Sequence, residues 1–300
     1  VDERTLREIY LPAFETTVRT AQPWTVMCSY NKLNGVYASQ NRELLTGILR
    51  DEWGFDGLVV SDWGAVDERV PALDAGLDLE MPASGGRPEA QIVEAVRSGA
   101  LDESVLDRAA TRIVTMILRA TATTPRDSFD VDAHHALARR AAAAGSVLLR
   151  NEERDGHPAL PLDAAAFTAD NPLVLVGEFA RTPRYQGAGS SQVNPLRLDT
   201  ALDSLRETLG EAAVAFAPGF HLAEAIAVQD EDGSSALDDA ALRAQAAELA
   251  ACRTAVLFLG LPAKKEAEGY DRADIDLPSE QIELLRAVAE TAARTIVVLS

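Results

Sequence analysis

Apolar positions in the first third of the chain switch between two periods. Leu6, Ile9, Tyr10, Phe14 and Val18 recur at helical spacing until Pro23 ends the run. WTVMCSY (24–30) then reads as a buried strand. A helix through Leu44, Leu45, Ile48 and Leu49 stops near Gly54, and GLVVSD (57–62) is a second short strand. A helix over about 65–75 ends near Gly76, LDLEM (77–81) is a third strand, and helices follow over 88–98 and 103–119. Strands that alternate with helices predict parallel pairing in βαβ units.

The stretch 121–130, TATTPRDSFD, is poor in apolar residues and predicts a linker between two domains. Beyond it the alternation resumes. VLLRN (147–151), LVLVGE (173–178), AAVAFA (212–217), TAVLFLG (254–260) and RTIVVLS (294–300) read as strands. Helices are expected near 132–144, 199–210, 236–251 and 279–293, and the polar run 231–239 as a solvated loop entering a helix. The second half is thus expected to be another layered α/β domain.

Composition narrows the partners more than the fold. The 300 residues suit about two domains, and 47% hydrophobic with 25% charged residues is an ordinary globular balance. A net charge of −19 repels phosphate backbones, so nucleic acid is an unsuitable partner. No apolar run approaches the roughly 20 residues of a membrane helix, so no membrane partner is expected. Cys28 and Cys252 form neither a disulfide framework nor a zinc pattern, and are expected to be buried small hydrophobes. His134, His135, His157 and His221 lack metal-binding spacing. The chain begins at Val1 without a leader and stops within a strand pattern, so both termini are expected to be cut. The compartment stays open, with the cytoplasm favoured.

Three strings hold candidate chemistry. Asp62 ends a buried strand, where ligands collect in parallel α/β folds, although a helix cap also suits it. Trp63 beside it can stack on a sugar face or pack in a core, and Met27 and Tyr30 share that layout on the preceding strand. In EAEGYDR (266–272) a solvated acidic loop competes with a functional reading. In the latter, Glu268 beside Gly269 is a carboxyl kept protonated for donation, and Arg272 steadies the loop. The Gly-rich RYQGAGSS (184–191) lacks either phosphate-binding fingerprint.

Taken together, VMCSYNKLNGVYASQN, LLTGILRDEWGFDGLVVSDWGAV, AGLDLEMP, PRYQGAGSSQVNP and LGLPAKKEAEGYDRADIDLP resemble glycoside hydrolase family 3 in sequence and order. The resemblance spans nearly the whole chain. It implies an α/β fold: the C-terminal part of a (β/α)8 TIM-like barrel over 1–121, a linker over 122–131, and an α/β sandwich over 132–300, with a pocket between the domains. It implies Asp62 as nucleophile and Glu268 as acid/base, with Glu266 a weaker substitute. Met27, Tyr30 and Trp63 would line the sugar site, and the loop bearing Arg184 and Gln186 would supply its second wall. The implied activity is retaining, exo-acting hydrolysis of β-D-glucosides or related glycosides, a small-molecule substrate, without metal or organic cofactor. A complete barrel takes about 250 residues, so the chain alone is expected to be inactive.

Three other readings compete. A sugar-binding or scaffold relative would have lost one of the two acids. A nucleotide-binding doubly wound protein would show a phosphate loop. The N-acetylglucosaminidase branch of the same family lacks the second domain and uses a histidine.

Overall fold

Short runs of buried aliphatic residues form the strands in both halves of the chain. The structure, a computed structural model, describes residues 1–124, 128–154, 156–222, 238–269 and 271–300, in two units, Val1–Ser128 and Phe129–Ser300. The expected loop 231–237 and Tyr270 of the acidic string lie outside the described residues, as do 125–127 of the expected linker.

In the first unit, strands Thr25–Cys28 and Leu58–Ser61 pair in parallel, with Thr25 opposite Leu58 and Cys28 opposite Ser61. The third expected strand contributes one parallel bridge, Val60 to Leu79. Val59 and Leu77 are buried with Leu45, Ile48, Leu49 and Trp53 of or beside the helix Glu43–Glu52. A second cluster joins Leu73 of the helix Arg69–Ala75, Ile92 of Arg87–Arg97 and Ala109 of Glu103–Thr121. Two sequence expectations change here. The strand at 24–30 is shorter, and Trp24, Met27 and Tyr30 are exposed, because only one edge of it is paired among the described residues. The first helical stretch holds a π turn at Leu6–Tyr10, which rotates the apolar stripe. Leu11 and Val18 are buried while Ile9, Tyr10 and Phe14 face out.

One carboxylate ties this unit together. Asp78 is 0% exposed at its side chain. Its Oδ2 accepts from Arg50 Nη2 at 2.7 Å and from the Val59 amide at 2.8 Å, and its Oδ1 accepts from Arg112 Nη1 at 2.9 Å. Arg69 Nη2 donates to the Asp78 carbonyl at 3.1 Å. Burial pushes the Arg50 and Arg69 guanidinium groups down from their usual range, opposed by Asp78 at Arg50 and by Glu80 and Asp78 at Arg69.

In the second unit four parallel strands run in the order Arg294–Leu299, Thr254–Leu259, Leu173–Val176, Val214–Ala217. Their side chains alternate between two buried faces. Val174, Val176, Leu257 and Leu259 pack with Ala246 of the helix Asp239–Ala250 and with Leu284 and Val288 of Ser279–Thr291. Leu173, Leu175 and Val256 pack with Leu202 of Ala201–Leu209. VLLRN is not a strand: Val147, Leu148 and Leu149 are exposed, with no backbone partner among the described residues. Cys28 is buried, and burial pushes its thiol pKa up, whereas Cys252 is exposed, in a left-handed turn (φ 59°) after the helix Asp239–Ala250. The expectation of two buried thiols therefore fails for Cys252.

Replacing Asp78 with alanine strands two guanidinium groups, one of them almost fully buried, and is expected to destabilise the first unit by about 3–5 kcal/mol. Urea unfolding followed by the fluorescence of Trp24, Trp53 and Trp63, all in this unit, measures it. A loss within about 0.5 kcal/mol, the range of a surface substitution, contradicts this account.

Candidate active site

Both candidate acids lie beyond the carboxyl ends of parallel strands. In the first unit the strand Leu58–Ser61 runs directly into Asp62, whose amide donates to the Cys28 carbonyl at 3.2 Å. The turn closes through Ala65 N to Asp62 O at 3.1 Å and Gly64 N to Met81 O at 2.9 Å. Ser61 Oγ donates to Met81 O and accepts from Met81 N. The helix-cap alternative for Asp62 fails, because the next helix begins at Arg69 with Glu68 at its cap. Asp62 Oδ1 instead accepts from the Trp63 amide at 2.6 Å. Met27, Tyr30 and Trp63, exposed by 60%, 47% and 63%, lie at this same end of the two paired strands.

A cleft of about 400 Å³ in this unit lies at the opposite strand ends, beside Phe55, Gly76 and Asp78. Arg42, Arg50, Arg108 and Arg112 line it together with Asp51, Asp56, Asp74 and Asp78. The charges balance, and the chemistry expected at the strand carboxyl ends does not involve it.

In the second unit the strand order reverses between Leu173–Val176 and Thr254–Leu259. The chain leaves the first toward Val214–Ala217 on one side and later builds outward on the other. Ligands of open α/β sheets sit at such a switch point, beyond the strand carboxyl ends. The two loops that emerge there are 177–199 and 260–278, and they carry RYQGAGSS and Glu268. Gly177 lets the first loop leave at φ 105°; a Cβ there would lie 2.3 Å from the Phe258 carbonyl oxygen.

The loops are joined by a parallel bridge between Ala188 and Ala267, with Glu268 N donating to Ala188 O at 3.5 Å. Ser190 meets the Glu268 carboxylate twice: its amide donates to Oε2 at 3.0 Å, and its hydroxyl donates to the same oxygen. Gly189, at φ 88°, allows this approach, since a Cβ would lie 2.9 Å from Glu268 Cβ. Arg184 and Gln186 direct their polar groups to the protein itself. The Arg184 donors reach three backbone carbonyls, and the Gln186 amide spans Val193 O and N while also donating to Tyr185 Oη. A hollow of about 150 Å³ lies beside them, lined by Tyr185, Gln192, Leu222 and Pro262 among others.

Sequence reasoning passed over Ser190. The signal was available, because a Gly-Ser run after a buried strand supplies amide and hydroxyl donors even without a phosphate fingerprint. The described residues hold no cluster of His, Cys, Asp or Glu suited to a metal ion. No helix among them is long and apolar enough to cross a membrane.

Comparisons with known proteins match each unit to a family model. Residues 1–116 match the Glycosyl hydrolase family 3 N terminal domain, and residues 146–300 match the Glycosyl hydrolase family 3 C-terminal domain. The thermostable β-glucosidase B of Acetivibrio thermocellus is 46% identical over all of this chain and 37% of its own length. An exo-α-(1→6)-L-arabinopyranosidase of Bifidobacterium longum is also 46% identical, with 38% of it covered. The crystal structure of a Bifidobacterium adolescentis family 3 β-glucosidase superposes on the whole chain with a TM-score of 0.82 at 44% identity, over 41% of that protein. The chain thus spans well under half the length of these relatives. With a family match to each of its two units, the chain belongs to glycosyl hydrolase family 3.

Proposed function

We propose that the protein carrying this chain is a retaining exo-glycosidase acting on terminal, non-reducing β-D-glucosides or related glycosides. The observation that carries the reading is that Asp62 and Glu268 both lie at the ligand-binding ends of parallel strands. Relatives named β-glucosidase and arabinopyranosidase stand at the same identity, so either sugar fits the family match. In this reading the first unit is the later part of a (β/α)8 barrel over 1–121, and the second is an α/β sandwich over 132–300, joined by a linker over 122–131. Neither metal nor organic cofactor takes part.

The chemistry is a double displacement. An Asp62 oxygen attacks the anomeric carbon while Glu268 gives its proton to the departing glycosidic oxygen. The bond to the leaving group breaks as the glycosyl–Asp62 ester forms. Glu268, now a carboxylate, takes a proton from water, which attacks the anomeric carbon and frees Asp62. Such a mechanism asks for carboxyl groups about 5–5.5 Å apart. Strand and turn hydrogen bonds fix the backbone at Asp62, and the exposed Met27, Tyr30 and Trp63 offer apolar and aromatic surface to a sugar ring. Both candidate acids are present in the sequence, which favours catalysis over a binding-only relative.

Two measurements test the assignment in the full-length protein. A 2-fluoro glycoside is expected to trap its sugar on Asp62, read by mass spectrometry of the labelled peptide, and a label on another residue removes Asp62 from the role. Glu268→Ala is expected to slow glycosides with poor leaving groups by about 10²–10⁴-fold. It should spare activated aryl glycosides in the first step, and azide should rescue the second step. Equal losses on both substrate types shift the acid role to Glu266.

A further inference from the structure

One partly buried side chain grips the Glu268 loop from the neighbouring loop. Arg184 is 13% exposed. Its Nε donates to Leu261 O at 3.2 Å, its Nη1 to Gln186 O at 3.0 Å and its Nη2 to Glu266 O at 3.1 Å. The Glu266 carboxylate adds an ion pair at 3.6 Å. The fork therefore grips its own loop once and the other loop at two places. One is Leu261, just after the strand Thr254–Leu259; the other is Glu266, two residues before Glu268.

From the residues in this arrangement, we propose that Arg184 is a positioning residue for the Glu268 carboxyl rather than a sugar-binding group. This rests on reading Glu268 as the acid/base. Between the two gripped carbonyls lie Pro262, Ala263, Lys264 and Lys265, none of them buried. Internal support there is two turn hydrogen bonds, Lys265 N to Pro262 O and Glu266 N to Ala263 O. Past the grip, the Ala188–Ala267 bridge and the Ser190–Glu268 hydrogen bonds need the two loops in one register. A guanidinium suits the task because its donors are coplanar and diverge toward separate acceptors, which an ammonium cannot reproduce. Each bond goes to a carbonyl, so the grip constrains the backbone and leaves the Glu268 side chain to the Ser190 donors.

The experiment compares Arg184→Met, Arg184→Lys and Glu268→Ala in the full-length protein. Rates are taken over aryl glycosides of graded leaving-group acidity and one alkyl glycoside. A misplaced acid costs most where protonation matters most. Arg184→Met should therefore lose about 10²-fold in kcat/KM on the alkyl glycoside, with little change in kcat/KM on the most activated aryl glycoside, whose kcat, limited by the second step that Glu268 also assists, falls and is restored by azide. Arg184→Lys should fall between Arg184→Met and the unmodified protein, and it carries the test if the methionine variant does not fold. Labelling of Asp62 by an activated 2-fluoro glycoside should keep its rate in both. An equal loss of kcat/KM across all leaving groups overturns the proposal in favour of a general structural role. A raised KM at unchanged kcat overturns it in favour of sugar binding. If Glu268→Ala shows the leaving-group dependence and the Arg184 variants do not, only the positioning role falls. If Glu268→Ala itself is flat, the acid/base reading falls and takes this proposal with it.

Discussion

The first unit depends on how a single buried anion is neutralised. Asp78 lies where the third strand segment begins, and it joins that segment to the Val59 amide, to Arg50 on one helix and to Arg112 on another. Removing a carboxylate from water costs several kcal/mol, which only closely placed donors offset. Here two cations and an amide supply them. The arrangement stabilises little in comparison with a well-packed apolar core, yet it admits few alternative registers. A one-residue slip of Leu58–Ser61 would move the Val59 amide away from Asp78. Asp62 follows four residues after Leu58 in the same strand run, so the buried ion cluster at one strand end fixes the position of the carboxylate at the other.

The second unit uses backbone where the first uses charge. Gln281, 2% exposed, donates to Gly260 O at 2.9 Å and accepts from Gly260 N at 3.0 Å, closing both polar groups of the residue that follows the strand Thr254–Leu259. The loop with Glu268 starts from that fixed point. A neutral amide satisfies a peptide on both sides without the desolvation cost of an ion, which suits a site wedged among aliphatic side chains. The reversal of strand order then brings the loops after the two central strands side by side, and sequence-distant Ser190 and Glu268 meet for that topological reason.

The sequence showed the strands with buried aliphatic runs most clearly, because four or more consecutive apolar residues between turn signals leave few alternatives. LVLV, VAFA, TAVLFL and RTIVVL all form parallel strands. VLLRN, with only three apolar residues before Arg150, forms none, since strand formation needs a hydrogen-bonding partner that local composition does not reveal. The π turn at Leu6–Tyr10 was similarly invisible: an added residue per turn changes which positions are buried without altering the helical look of the string. For the candidate site, Asp62 and Glu268 stood out through motif resemblance and their places after strands. Ser190 and the real partners of Arg184 did not, because both depend on which loops the sheet order makes adjacent.

The two candidate acids illustrate different solutions to placing a carboxyl group. Asp62 has a short side chain on a strand end, so its position follows almost directly from sheet hydrogen bonds and two χ angles. Glu268 has a longer side chain, on a loop after a strand, and accumulates more uncertain torsions along the way. The structure compensates with interactions in proportion: a guanidinium fork on the loop backbone, a one-residue parallel bridge, and an amide and hydroxyl on the carboxylate itself. Catalytic groups must be held to within about half an ångström to be effective. On a strand that precision comes with the sheet; on a loop it has to be built residue by residue.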